Sequence, residues 1–237
     1  MSIAPAATTT RHVHPWLFMV LIIPFGVVAG YVSVSIAFQL RAVGVSVAQV
    51  AAIVALELLP HTWKFLWAPI PDTTLNQKTW YLIAGIGTAA GIALMSLLPA
   101  TRAGLTTLSI VVFVTSTFVS FLGMAVESLM AHCTPEDLKG RAGGWFQAGN
   151  LGGAGVGGGL GLWLTQHLAA PWMSGAIVGA LCLACCLALP GLPTPAREAH
   201  ARFFAELDKA QAKVEIHADL LTADLVEHGP SAADRLA

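Results

Sequence analysis

Residues 152–161 read Gly-Gly-Ala-Gly-Val-Gly-Gly-Gly-Leu-Gly, and within them Gly153, Gly155 and Gly158 fit G-x-G-x-x-G. The reading of this stretch decides the fold. As a dinucleotide turn it would join a buried strand to a water-facing helix, with an acidic residue about 20 positions on for the ribose. No Asp, Glu, Lys or Arg occurs between Arg141 and Arg197. The acidic partner and the polar helix face are both missing, so the glycines belong to an apolar setting.

The composition identifies that setting. Of 237 residues, 56% are hydrophobic and 11% charged, with a mean hydropathy of +0.72, whereas an ordinary soluble domain carries about a quarter charged residues. Such a chain cannot cover a water-facing surface. A net charge of −1 and a pI near 6.7 provide no basic field for nucleic acid. Apolar runs of about 20 residues lie at roughly 16–40, 47–67, 80–100, 104–131, 142–168 and 172–190. The connections are too short for separate domains. An all-α integral membrane bundle of six transmembrane helices over 16–190 is expected, with a disordered arm at 1–15 and a tail at 191–237. In the tail Phe203, Leu207, Val214, Leu221 and Leu225 recur at roughly helical spacing, compatible with an amphipathic helix or a solvated segment. The first run is too long for a signal-peptide core and is expected to remain as a helix.

Orientation follows from Lys and Arg in the flanks. With the N-terminus in the cytoplasm, Arg11, Lys64, Lys78, Lys139, Arg141 and the five basic residues of the tail fall inside, and only Arg41 and Arg102 fall outside. Trp16, Trp63, Trp67, Trp80, Trp145 and Trp172 lie near helix ends, as an interfacial belt requires. Both termini are therefore expected in the cytoplasm.

In lipid, close packing of small residues becomes a main source of helix association. Gly149, Gly153, Gly157 and Gly161 recur every four residues and form a smooth strip, with Gly152 and Gly159 beside it. The strip reads either as static packing or as a sliding contact, on a face that in a complete carrier would border its other half. Pro24, Gly26 and Gly30 in the first run suggest a kink or local unwinding.

Two stretches carry a resemblance. His61-Thr-Trp-Lys-Phe-Leu-Trp-Ala-Pro-Ile-Pro-Asp72 resembles the "KFLWAP..D" segment ending the second helix of AmpG-type muropeptide permeases and related acetyl-CoA-transporter-like members of the major facilitator superfamily. Glu127-Ser-Leu-Met-Ala-His-Cys-Thr-Pro-Glu-Asp-Leu-Lys-Gly-Arg141 resembles the end of that family's fourth helix and its cytoplasmic turn, which here Pro135 starts and Gly140 closes. The fifth run is similar to the superfamily's antiporter motif but lacks its proline, so antiport does not follow. The resemblance spans about residues 15–190, one six-helix half of a fold that normally has two halves with the substrate between them. It implies a permease of a bacterial inner membrane, partnered by a copy of itself or by a separately encoded second half.

The intramembrane charges suggest where the function lies. A charge near the bilayer centre costs about 2.5–3.5 kcal/mol on the insertion scale, so it usually faces a cavity or a partner. Glu57 lies about ten residues into the second helix, roughly 15 Å down. His61 and Lys64 follow at i+4 and i+7 on one face. A carboxyl at that depth suits proton coupling or symport. Lys64 either snorkels to the interface or pairs with Glu127, as a gate or as a fixed bridge. Asp72 and Lys78, between the second and third helices, are candidates for a cytoplasmic hinge.

Other patterns are weaker. Cys182-Leu-Ala-Cys185 fits C-x-x-C but lies in an apolar run, where redox chemistry has no support. His12, His14 and the His132–Cys133 pair lack further ligands at useful spacing for a metal. No nucleophile, base and orienting acid occur together, so no enzyme activity, cofactor or metal is expected. Two functions stay open. One is a secondary transporter of a small organic solute, with protons as a second partner. The other is a membrane interaction or assembly subunit without transport.

Overall fold

The computed structural model describes residues 13–67 and 74–192, with residues 209 and 211. The chain divides into two compact units, Met1–Pro193 and Thr194–Ala237. In the second unit only Lys209 and Gln211 are described, both helical and exposed, so the tail-helix expectation falls outside the described residues, as does the arm before residue 13.

Among the described residues the first unit contains no strand and has six main helical segments, with a short helix at Lys64–Trp67 and a 3₁₀ turn at Glu136–Leu138 between them. The six are α1 (Trp16–Ala42), α2 (Val47–Thr62), α3 (Gln77–Leu97), α4 (Leu105–Cys133), α5 (139–167) and α6 (Pro171–Ala184, continued as a 3₁₀ turn over Cys185–Gly191). Among the described residues, four helices are long and apolar enough to cross a membrane: Trp16–Ala42, Gln77–Leu97, Leu105–Cys133 and Trp172–Gly191. Six apolar runs had been expected. α2 spans only 16 residues before the backbone breaks at Trp63 (φ −99, ψ 12), three residues after Pro60. α5 stays helical despite eleven glycines between 140 and 161, which dilute its apolarity.

Local chemistry sets the ends. Ser46 and Gln49 form a reciprocal capping box that starts α2, and the Asn76 side chain accepts from the Lys78 N–H to start α3. Between α1 and α2 the chain reverses at Gly44, whose φ of 78 suits only glycine. Arg41 donates to the Val45 carbonyl and Arg102 to that of Gly44, so both arginines at this end of the bundle clamp the same turn.

α1 lies along α5 and touches α4. α3 lies between α4 and α6, and α2 packs on α4. Large apolar side chains remain exposed around the outside, among them Leu82, Ile86, Ile110, Leu151 and Leu187. Lipid is the solvent in which such a surface is stable.

The glycines of α5 explain how closely α1 approaches. A Cβ at Gly149, Gly153 or Gly157 would run into the carbonyl of Met19, Ile23 or Val27. In return, a Cβ at Gly26 or Gly30 would meet the carbonyl of Asn150 or Ala154. Gly161 lies against Tyr31 and Ser35. The strip is therefore filled by α1 of the same chain rather than left for another half, a correction to the expected face. Gly152, Gly155 and Gly159 point the other way, with no atom within 4 Å of an added Cβ. Further along the contact both helices widen into π turns, Tyr31–Ile36 and Val156–Leu160. The Ser35 hydroxyl lies 3.2 and 3.1 Å from the carbonyls of Gly157 and Gly158 and can donate to either.

Pro24 removes one N–H from the interior of α1, which weakens the ladder around it. The buried Tyr81 of α3 donates its hydroxyl to the nearby Leu21 carbonyl at 2.8 Å. Tyr81→Phe keeps the ring and loses this bond. Intramembrane hydrogen bonds average about 0.6 kcal/mol, so the thermal midpoint in detergent is expected to fall by only a few degrees. An unchanged midpoint would show that the bond contributes nothing at the kink.

Candidate functional site

The site begins with the face of α2 that meets α4 and α1. Glu57 is buried, 3% exposed, although it is charged in water. Its Oε1 lies 3.6 Å from Nε2 of His61, one turn on. The other ring nitrogen, Nδ1, is 2.7 Å from the hydroxyl of Ser120 on α4. Phe25 of α1 closes the third side, its ring centroid 4.9 Å from that of His61 at a 44° tilt. The imidazole is thus held between a carboxyl and a hydroxyl. Neutral with its proton on Nε2, it faces the carboxylate and accepts from Ser120; as an imidazolium it donates on both sides. Glu57 and His61 thus face each other within ion-pair distance on α2, and the His61–Ser120 hydrogen bond links the pair to α4.

Lys64 follows on the same face of the chain, just past the break at Trp63. Its Nζ contacts both carboxylate oxygens of Glu127 at 2.5 Å. The two side chains are 31% and 44% exposed. Pairs with this much solvent access contribute about 1 kcal/mol or less, so the contact can open at small cost. It borders a cleft of about 780 Å³ lined also by Phe65, Gln77, Met124 and His132. His132 uses Nδ1 to donate to the Ser128 carbonyl at 2.7 Å. One turn from Gln77 and Met124, Trp80 and Phe121 stack with centroids 5.2 Å apart.

The structure thus brings Glu57 to His61 and Lys64 to Glu127. Lys78 is not with them. Its Nζ donates to the Leu192 carbonyl at 2.5 Å, tying the start of α3 to the segment after α6. Asp72, the other hinge candidate, lies outside the described residues. Gly149, Gly153, Gly157 and Gly161 serve the α1–α5 contact. Ser120 is the member that the sequence reading missed. Its only sequence signal is that it stands seven residues before Glu127, on the same helical face. Among the described residues no group of three or more His, Cys, Asp or Glu side chains could hold a metal.

The sequence pattern of the BT1 family matches residues 26–198, which include Glu57, His61, Lys64, Ser120 and Glu127. Among solved structures, the inward-open conformation of the xylose transporter XylE from E. coli is similar, with a TM-score of 0.56 and 15% identity. The match covers 93% of this chain and 58% of that one, so the chain spans less than two thirds of that transporter's length. At this identity the likeness establishes the fold. No curated protein matches the chain.

Proposed function

The chain belongs to the BT1 family, and from that premise we propose that it is a six-helix unit of a proton-coupled secondary transporter for a small organic solute. The observation that carries this reading is the buried Glu57–His61–Ser120 chain beside an ion pair that is cheap to open. A proton held at Glu57 and His61 changes the contact between α2 and α4; Glu127 stands on α4, and Lys64 opens the short helix Lys64–Trp67 that follows α2. Loading the buried site and opening the more exposed pair are then coupled through α2, the short helix after it and α4, which is what alternating access requires. The AmpG-type resemblance of residues 61–72 and 127–141 supports a permease.

A second six-helix unit, whether another copy of the chain or a separate segment, would supply the other wall. The basic residues support an orientation with Lys64, Lys78, Lys139 and Arg141 on the cytoplasmic side of a bacterial inner membrane and Arg41 and Arg102 outside. Purified protein in proteoliposomes is expected to show solute-dependent proton flux. Stable co-purification with an unrelated membrane assembly, without flux, would favour an assembly subunit instead.

A further inference from the structure

We propose that the cleft at Lys64 and Glu127 takes a zwitterion, a ligand with an amine and a carboxylate or phosphate a few bonds apart and an apolar body. The proposal rests on the transporter reading for its purpose and on the cleft alone for its chemistry.

Among the described residues the cleft is lined by one fixed cation, Lys64, and one fixed anion, Glu127, and they hold each other. A monoanion on Lys64 would displace Glu127 and leave that carboxylate facing the cleft without its cation. A monocation on Glu127 would strand Lys64 in the same way. At this exposure the cost of leaving one charge unpaired is modest, about 1 kcal/mol or less, and a ligand that replaces both contacts avoids it. A zwitterion exchanges both.

The neighbouring groups have the matching polarity. Gln77, which also lines the cleft, can offer its amide N–H₂ to a bound anion. His132 donates through Nδ1 to the Ser128 carbonyl, which makes Nε2 of the neutral ring an acceptor available to a bound amine in the cleft. Phe65 and Met124 supply apolar wall for the rest of the ligand. Two sources carry this chemistry, a free zwitterionic solute and the amine-and-phosphate headgroup of a membrane lipid.

The test uses the full chain in detergent and three probes with one aromatic body: phenylalanine, 3-phenylpropionate and phenethylamine. Phosphoethanolamine is added as the headgroup probe. Binding is read by calorimetry and by the rise in thermal midpoint that a native-state ligand produces. Phenylalanine or phosphoethanolamine is expected to bind about tenfold or more tightly than either singly charged analogue. Phosphoethanolamine alone binding identifies the lipid source, and phenylalanine binding identifies the solute source. Lys64→Gln should remove the preference, and the exchanged pair Lys64→Glu with Glu127→Lys should restore it, which also shows that the variants fold. Equal binding of a singly charged analogue, no binding by either zwitterion, or a preference that survives in Lys64→Gln would overturn the proposal. Because the readout needs no flux, a chain that binds zwitterions without moving protons sinks the transport reading alone. A chain that moves protons with no zwitterion preference sinks this one alone.

Discussion

Gly157→Leu is expected to force α1 and α5 apart and to lower the thermal midpoint of the detergent-solubilised protein by roughly 10 °C. The reason is geometric. Even a Cβ at this position collides with the carbonyl of Val27, and the same is true of Gly149 against Met19 and Gly153 against Ile23. The obstacle is helix backbone, which cannot turn aside as a side chain can, so the helices must separate along their length. Overpacking of this kind costs about 3 kcal/mol, and separation also loosens the reciprocal contacts of Gly26 and Gly30. Insertion should be unaffected, because leucine makes the segment more apolar. Gly152→Leu is the control, since nothing lies within 4 Å of its added Cβ. Equal midpoints for the two variants would remove the α1–α5 contact from the account of stability.

That contact also shows how far the sequence could be read. A four-residue glycine repeat announces a close helix approach, because only missing side chains allow one in lipid. It does not name the partner, since a smooth strip accepts any backbone. The partner was encoded in α1, where Gly26 and Gly30 at i and i+4 beside Pro24 suggest, from sequence alone, a kink or local unwinding. They are the facing half of the same contact. The π turns at Tyr31–Ile36 and Val156–Leu160 had no signal, because they arise from how two helices fit rather than from either one.

The polar site divides in a similar way. Intramembrane charge is costly enough that Glu57, Lys64 and Glu127 stand out by position alone, and Lys64 and Glu127 at similar depth have few other partners. Ser120 is different. A hydroxyl in an apolar helix can be satisfied by a carbonyl of its own preceding turn, as Thr115 and Thr117 are on α4. Serine therefore carries little information about tertiary partners until the neighbouring helix is placed. The break of α2 at Trp63 was likewise hidden, although Pro60 stands just before it, because membrane helices often continue past proline.

Glu57→Gln is expected to abolish uptake driven by a pH gradient while leaving uptake driven by the solute's own gradient measurable. Glutamine has nearly the shape of glutamic acid and can still hydrogen-bond the imidazole of His61, so α2 should keep its packing on α4. It cannot gain or lose a proton in the physiological range, so the proposed proton carrier at position 57 is removed. His61 then has Ser120 on one side and a fixed amide on the other. The ionisable groups next along this face are Lys64 and Glu127, which satisfy each other. A drop of about 100-fold in pH-driven rate, the scale of losing a positioned proton carrier, is therefore expected in proteoliposomes. Ser120→Ala should fall between that variant and the native chain, because the hydroxyl orients the ring without carrying its proton. The ordering separates a relay from a merely packed polar cluster, in which both variants would reduce both modes of uptake together. Undiminished proton dependence in Glu57→Gln would move the coupling site elsewhere in the bundle.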